Sequence, residues 1–392
     1  MNEILQKIKK LRIDNEEEVI YGVYNNADKG VFVRLNDFFV DHTKITIKDK
    51  SYFFHMLAMM VGSGIPVVRA VKSLARHTEN PRFRRVLATI AYNCDHGLAL
   101  ADAMTRFEDV FEESEIGIVR AGEASGQLNG MLIKLAAQLE NRHDLSMKLW
   151  GAAVYPIAVL GVLLIVTIGM LVFVLPNLLS LLQEGGVADS QLPFATLMLI
   201  TVQKAVVGYW WLILLVVFGI YGAFVMYKGT YYGQVNWDYA KLRIPLVGAL
   251  LRKVYVLRFV GMLGLLIDAG LPVLKALSVS GEAQSNHIYK MKIAESGEQV
   301  KKGLKISGSL EDSEFLFPSE VVQMLRVGEE SANLGAVSEK ISIQYQKEVD
   351  NTLKKVTSVF EPLMILFVGL FVALLAMAIM APIFNLSTIV GN

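Results

Sequence analysis

The sequence predicts an all-α membrane protein: two homologous helical domains, placed in the cytoplasm, and three transmembrane helices. Three observations carry that expectation. Hydrophobic residues make up 53% of the 392 positions and charged residues only 19%, below the roughly 25% charged of an average soluble domain. Three segments lack charge for about the 20 residues that a bilayer crossing needs. And the chain repeats itself at a fixed interval of 206 residues, most plainly in "VRAGEASGQL" from Val119 and "LRVGEESANL" from Leu325.

The apolar segments define the domain boundaries. The first span is expected at 152–175, "AAVYPIAVLGVLLIVTIGMLVFVL", the second at 205–227 and the third at 360–383. Trp150, Tyr155, Tyr209, Trp210, Trp211 and Tyr227 stand near span ends, where amphipathic rings favour the headgroup level. Between the first two spans, over 176–204, the one cationic residue is Lys204, and none follows the third span in the tail 384–392. The flanking segments on the other side are rich in Lys and Arg. The positive-inside rule therefore places 1–46, 47–151 and 228–359 in the cytoplasm, and the short loop and the C-terminus outside.

The repeat runs without a gap. Phe53, Met56, Leu57, Gly64, Pro66, Val67 and Ala70 fall on Phe259, Met262, Leu263, Gly270, Pro272, Val273 and Ala276. Arg120, Gly122, Glu123, Ser125 and Leu128 fall on Arg326, Gly328, Glu329, Ser331 and Leu334. Pro156 and Pro176, bracketing the first span, fall on Pro362 and Pro382, bracketing the third. Each copy is thus a domain at 47–151 or 228–359 that leads into its own span, and the second span returns the chain to the cytoplasm.

Within a copy the pattern is helical. "YFFHMLAMMVGSGIP" carries apolar residues at helical spacing before a Gly-x-Pro break. "NPRFRRVLATIAYNCDHG" offers Asn80 as cap, Pro81 in the first turn and Gly97 as stop. A helix from Leu128 has no breaker before Trp150 and can run on into the first span. At the N-terminus, Ile4, Leu5, Ile8 and Leu11 suit an amphipathic helix, on the protein's own surface or on a membrane or partner. "VIYGVY" and "GVFVRL" around "NNADKG" could pair as a hairpin.

The duplicated phrase reads as a helix–helix corner. Gly122 and Gly328 permit close backbone approach, and Ser125 and Ser331 stand where they could cap the following helix. Glu123 and Glu329 would lie near that helix's positive end. The alternative is a functional carboxylate, at an interface or in a divalent-cation site; isolated glutamates without further acidic ligands make poor metal sites. Arg82, Arg84 and Arg85 form a basic run that is a solvated face or a docking patch for an acidic partner or anionic lipid.

Catalytic and cofactor signatures are absent: there is no G-x-x-x-x-G-K-[ST], H-E-x-x-H, G-x-S-x-G or C-x-x-C. The single Cys94 excludes an internal disulfide. The basic run lacks the interleaved aromatics of a nucleic-acid surface, and near-zero net charge points to no nucleic-acid partner. Apart from Glu361 at the very start of the third, the spans carry no charged residue, unlike those of most transporters.

Taken together, the duplicated "F-x-x-M-L … G-x-P-V" and "R-x-G-E-x-S-x-x-L" segments, each leading into a Pro-bracketed span, resemble the bacterial type II secretion F domain in tandem. The likeness covers about residues 45–390, with Ala332 standing where the pattern favours Gly. It implies a six-helix bundle for each cytoplasmic domain and a non-enzymatic role without cofactors, in the inner membrane. The family comprises platforms of type IV pili, type II secretion and competence pseudopili. The implied partners are a hexameric cytoplasmic assembly or retraction ATPase, pilin subunits, other inner-membrane pilus proteins and further copies of the chain. Gly64, Pro66, Gly270 and Pro272, the two corners, the four bracketing prolines and the three arginines are then the expected packing and interaction residues.

Overall fold

The computed structural model describes Tyr21, residues 40–177, residue 180 and residues 194–390. The expected N-terminal amphipathic helix and the hairpin around "NNADKG" lie outside these residues. The described chain is helical, with no strand among the described residues.

The first repeat comprises α1 (Ile47–Gly62), α2 (Val67–His77), α3 (Pro81–Asp95), α4 (Leu100–Met104), α5 (Glu113–Ser125) and α6 (Leu128–Gly169). The second comprises α10 (Val247–Asp268), α11 (Val273–Glu282), α12 (His287–Lys301), α13 (Ile306–Leu310), α14 (Ser319–Glu330) and α15 (Leu334–Val390). Between them run α7 (Phe194–Gly208), α8 (Trp210–Gly229) and α9 (Tyr231–Arg243). The chain divides into two compact units, one of Met1–Ser146 with Arg252–Lys347, the other of Met147–Leu251 with Glu348–Asn392.

Local chemistry explains where the helices begin and end, and it does so twice over. Asn80 accepts from the backbone N–H of Arg82 and Phe83, both at 3.1 Å, and Asn286 accepts from those of Ile288 and Tyr289 at 3.0 and 3.3 Å. These side chains satisfy donors that a first turn cannot. Gly64 and Gly270 leave their helices at φ +83° and +86°, and Pro66 and Pro272 then stand immediately before the next helix. An L side chain rarely adopts that φ, which is why the turn takes glycine in both copies.

The six helices of each repeat close around an aromatic centre. Phe53, Phe54, Phe83 and Phe111 are buried, with Phe53 meeting Phe83 edge-on at 5.7 Å. In the second copy Phe259 and Tyr289 each meet Phe317 at 5.4 Å. A buried ring contributes roughly 1.5–3 kcal/mol from its removed surface.

Among the described residues, three helices are long and apolar enough to cross a membrane: Leu128–Asn177, Trp210–Gly229 and Leu334–Met377. Their apolar stretches have little or no surface buried within the chain, as lipid-facing segments require. The second span differs from expectation. The helix is interrupted at Tyr209, whose φ of −120° leaves the helical range, so the crossing helix starts at Trp210 rather than at 205. Helix α7 also extends into the stretch expected as an external loop, and α15 continues helical to Val390 through the expected tail. At the membrane-proximal end of α8, Phe224 and Trp237 meet edge-on at 5.0 Å, with Lys228 5.3 Å above both rings.

Candidate functional site

The two Gly-Glu corners are the most closely matched features of the repeats. At Gly122 an added Cβ would lie 3.0 Å from Met131 Cβ and 3.1 Å from Leu128 Cα. At Gly328 it would lie 3.1 Å from Val337 Cβ and 3.2 Å from Leu334 Cα. Both glycines therefore let the two helices of the corner touch through their backbones.

The glutamates act elsewhere than expected. Glu123 does not serve α6; its two oxygens accept the backbone N–H groups of Leu100 at 2.7 Å and Ala101 at 3.0 Å, at the start of α4. Glu329 likewise accepts from the Ile306 and Ser307 N–H groups at the start of α13, and from Ser307 Oγ at 2.6 Å. The reason is facing direction: the carboxylate sits in the last turn of α5 or α14 and points across the bundle at a neighbouring short helix. Each carboxylate satisfies two N–H groups of a first turn, a charge-assisted contact.

The serines also depart from expectation. Ser125 Oγ bonds back to the Ala121 carbonyl at 2.8 Å, and Ser331 Oγ to that of Val327 at 2.7 Å. Each serine is within or directly after its own helix, too early to cap the next. The turn itself is made by the following residue: Gly126 at φ +71° and, in the second copy, Ala332 at φ +51°. The alanine thus keeps the same left-handed corner that glycine makes in the first copy.

Arg82, Arg84 and Arg85 all bond within the chain. Arg82 pairs with Asp109 and reaches the Thr43 carbonyl, Arg84 Nε donates to the Thr78 carbonyl at 3.0 Å, and Arg85 meets Asp41 at 3.3 Å. The run serves its own domain. Pro156 lies inside α6, which continues through it to Gly169, and Pro362 and Pro382 lie inside α15. Met170–Val174 form a π turn shortly before Pro176, as suits a ring that removes a backbone donor. At Gly161, Gly169 and Gly369 an added Cβ would meet no atom of the described residues within 4 Å.

Sequence reasoning missed a buried ion pair. Lys50 Nζ contacts Glu115 Oε1 at 2.7 Å and Oε2 at 2.9 Å, and donates to the Val110 carbonyl at 3.0 Å, with both side chains buried. Burial raises the Glu115 carboxyl above its ordinary range, with Lys50 pulling it down. In the second copy the corresponding residues are Val256 and Val321, both buried. The carbonyl that Lys50 serves then corresponds to that of Leu316, which accepts from Tyr289 Oη at 2.8 Å, and Tyr289 replaces Phe83. One donor position was exchanged for another while the acceptor stayed satisfied. The self-alignment held the clue, since Lys50 and Glu115 change to valine together.

The sequence matches the family described as type II secretion system (T2SS), protein F, over residues 53–176 and again over 259–382. The chain belongs to that family. Both matched ranges end on the prolines that close the first and third apolar segments. Type IV pilus assembly protein PilC of Thermus thermophilus is 31% identical over 340 residues, 87% of this chain and 83% of that protein. The protein of the same name from Pseudomonas aeruginosa is 30% identical over 351 residues, 89% of this chain and 92% of its own. Type II secretion system protein F of Aeromonas hydrophila is 29% identical over 341 residues, 86% and 85% of the two chains.

Proposed function

We propose that this family member is the inner-membrane platform of a type IV pilus assembly machine, coupling a cytoplasmic assembly ATPase to the insertion of pilin subunits at the filament base. The observation that carries the reading is the near-full-length similarity to pilus assembly proteins, joined to a helix in each repeat that runs unbroken from the bundle into a membrane-crossing segment. At 1.5 Å per residue, the 42 residues of α6 extend about 63 Å. Such a helix can carry a push or a rotation from a soluble head into the bilayer. No bond-making chemistry is asked of the chain: the conspicuous carboxylates Glu123 and Glu329 are engaged with backbone donors.

The bundles face the cytoplasm, where a motor is available, and the charge distribution around the spans supports that orientation. Partners on this reading are the ATPase, pilin, neighbouring inner-membrane pilus proteins and other copies of the chain. A second reading, platform of a secretion pseudopilus, is favoured by the 29% identity to a type II secretion protein F. The two are separated by deleting the chain's gene in its host: loss of surface filaments with secretion intact supports the pilus, and the converse supports secretion. Orientation is checked by impermeant thiol labelling of Lys204→Cys and Lys253→Cys in intact cells. Labelling at 204 alone is expected; labelling at 253 overturns the placement of the heads.

A further inference from the structure

The two repeats meet within the chain through unlike faces. From the first repeat come α5 and α6, and from the second α10 and α11. Lys134 pairs with Asp268 at 2.9 Å, Lys275 with Glu113 at 2.9 Å, and Gln138 Nε2 lies 3.6 Å from Met262 Sδ. Gly117 lets Leu266 approach to 4.0 Å of where its Cβ would be. This contact covers the outer side of α10: Met262 is 5% and Leu266 0% exposed.

Because the repeats are homologous, each carries both faces, and one of each is left over. The first repeat's version of the α10 surface is on α1, where Arg258 and Leu265 correspond to Tyr52 and Met59, which are 62% and 58% exposed. Met262 and Leu266 correspond to Met56 and Met60, both only partly covered. The second repeat's version of the α5–α6 surface is on α14 and α15. There Gly117, Gln138 and the partly covered Ala121 correspond to Gln323, Gln344 and Val327, of which Val327 is 59% exposed and the two glutamines are exposed, with Ile343 beside Gln344 54% exposed at the rim. A residue change from alanine to a larger apolar one on an open face adds surface that water does not favour.

We propose that these leftover faces bind each other between chains: the α14–α15 face of one copy seats on the α1 face of the next and repeats the contact already made inside each chain. A contact of unlike faces leaves one of each free at the ends, so it builds rings or arcs rather than closing at two. Flexible Met56 and Met60 suit the place, since Gln323 is bulkier than Gly117 and the facing side chains must adapt. The rim differs as well. Asp268 and Glu113 correspond to Gly62 and Ser319, so neither ion pair is repeated. The contact between chains is therefore apolar at its centre and little affected by salt. The inference is independent of which filament the platform serves.

The test uses the full-length chain in lipid vesicles, with Cys94→Ala removing its one thiol. Met56→Cys and Gln344→Cys, the counterparts of the touching pair Met262 and Gln138, are made in separately tagged chains. Oxidation of the mixture is expected to yield a mixed disulfide-linked dimer that neither variant gives alone. Tyr52→Glu or Val327→Glu, placed on exposed positions and so compatible with folding, should lower the yield about tenfold. A dimer from Met56→Cys alone shows like faces meeting and overturns the proposal. So does the absence of any mixed product, or capture of Met56→Cys by a cysteine placed in residues 1–39, which makes the chain's own N-terminal segment the occupant.

Discussion

At the residue scale, the two repeats are a natural comparison of a buried ion pair with its apolar replacement. Removing one partner from such a pair leaves an uncompensated charge, at a cost of about 3–5 kcal/mol, whereas exchanging both for packed apolar residues is close to neutral. Lys50→Met is therefore expected to lower the thermal midpoint of the purified chain sharply. The triple change Lys50→Val, Glu115→Val and Phe83→Tyr, which copies the second repeat, is expected to remain within about 1–2 kcal/mol of the parent. Equal losses in the two variants would refute this account of the pair. The defect of Lys50→Met also depends on pH. A carboxyl whose folded pKa is raised favours the folded state only while protonated, so its contribution worsens as pH climbs from the unfolded value of about 4.3 through the folded one. Loss of Lys50 removes the influence that held Glu115 down. The deficit should be larger near pH 8 than near pH 5.5, read from paired melting curves. A second residue-scale expectation concerns the corner at Ala332, whose φ of +51° an L residue adopts at a cost of roughly 1–2 kcal/mol. Ala332→Gly should raise the midpoint, partly offset by backbone entropy, while Gly126→Ala should lower it.

At the scale of elements, each Glu of the corner ties the end of one helix to the beginning of another. Glu123→Ala should destabilise by about 1–3 kcal/mol, because two buried-side N–H donors at the start of α4 lose their acceptor. Glu123→Gln should cost less, as its single carbonyl oxygen still serves one donor; a midpoint for the glutamine variant as low as the alanine variant would count against the clamp. The corner was legible in the sequence as a corner, because Gly122, Glu123 and Ser125 recur intact 206 residues on. What each side chain touches was not legible. Spacing along one helix reports its own face, and the partner of Glu123 lies 22 and 23 residues back, on an element only five residues long. The same limit hid Lys50 and Glu115, 65 residues apart. Helix ends were readable where capping is local, at Asn80, Gly64 and Gly270. The break at Tyr209 was not, since Gly208 stands in an apolar run whose later glycines, Gly219 and Gly222, leave their helix unbroken.

At the scale of the whole molecule, duplication gives two related heads and two long helices that continue from them toward membrane segments, with α8 as the crossing between. The spans and the tandem repeat followed from composition and self-similarity, both strong signals over long windows. The pairing of unlike repeat faces did not, because it depends on which side of α10 meets which side of α6. If the helices transmit motion, their stiffness between bundle and span is the property that matters. The most direct measurement is filament assembly by a chain with a flexible Gly-Ser segment inserted into α6 between Glu140 and Trp150, expressed in place of the parent. The expected result is normal membrane insertion with no filaments; full piliation would contradict a mechanical role for the continuous helix.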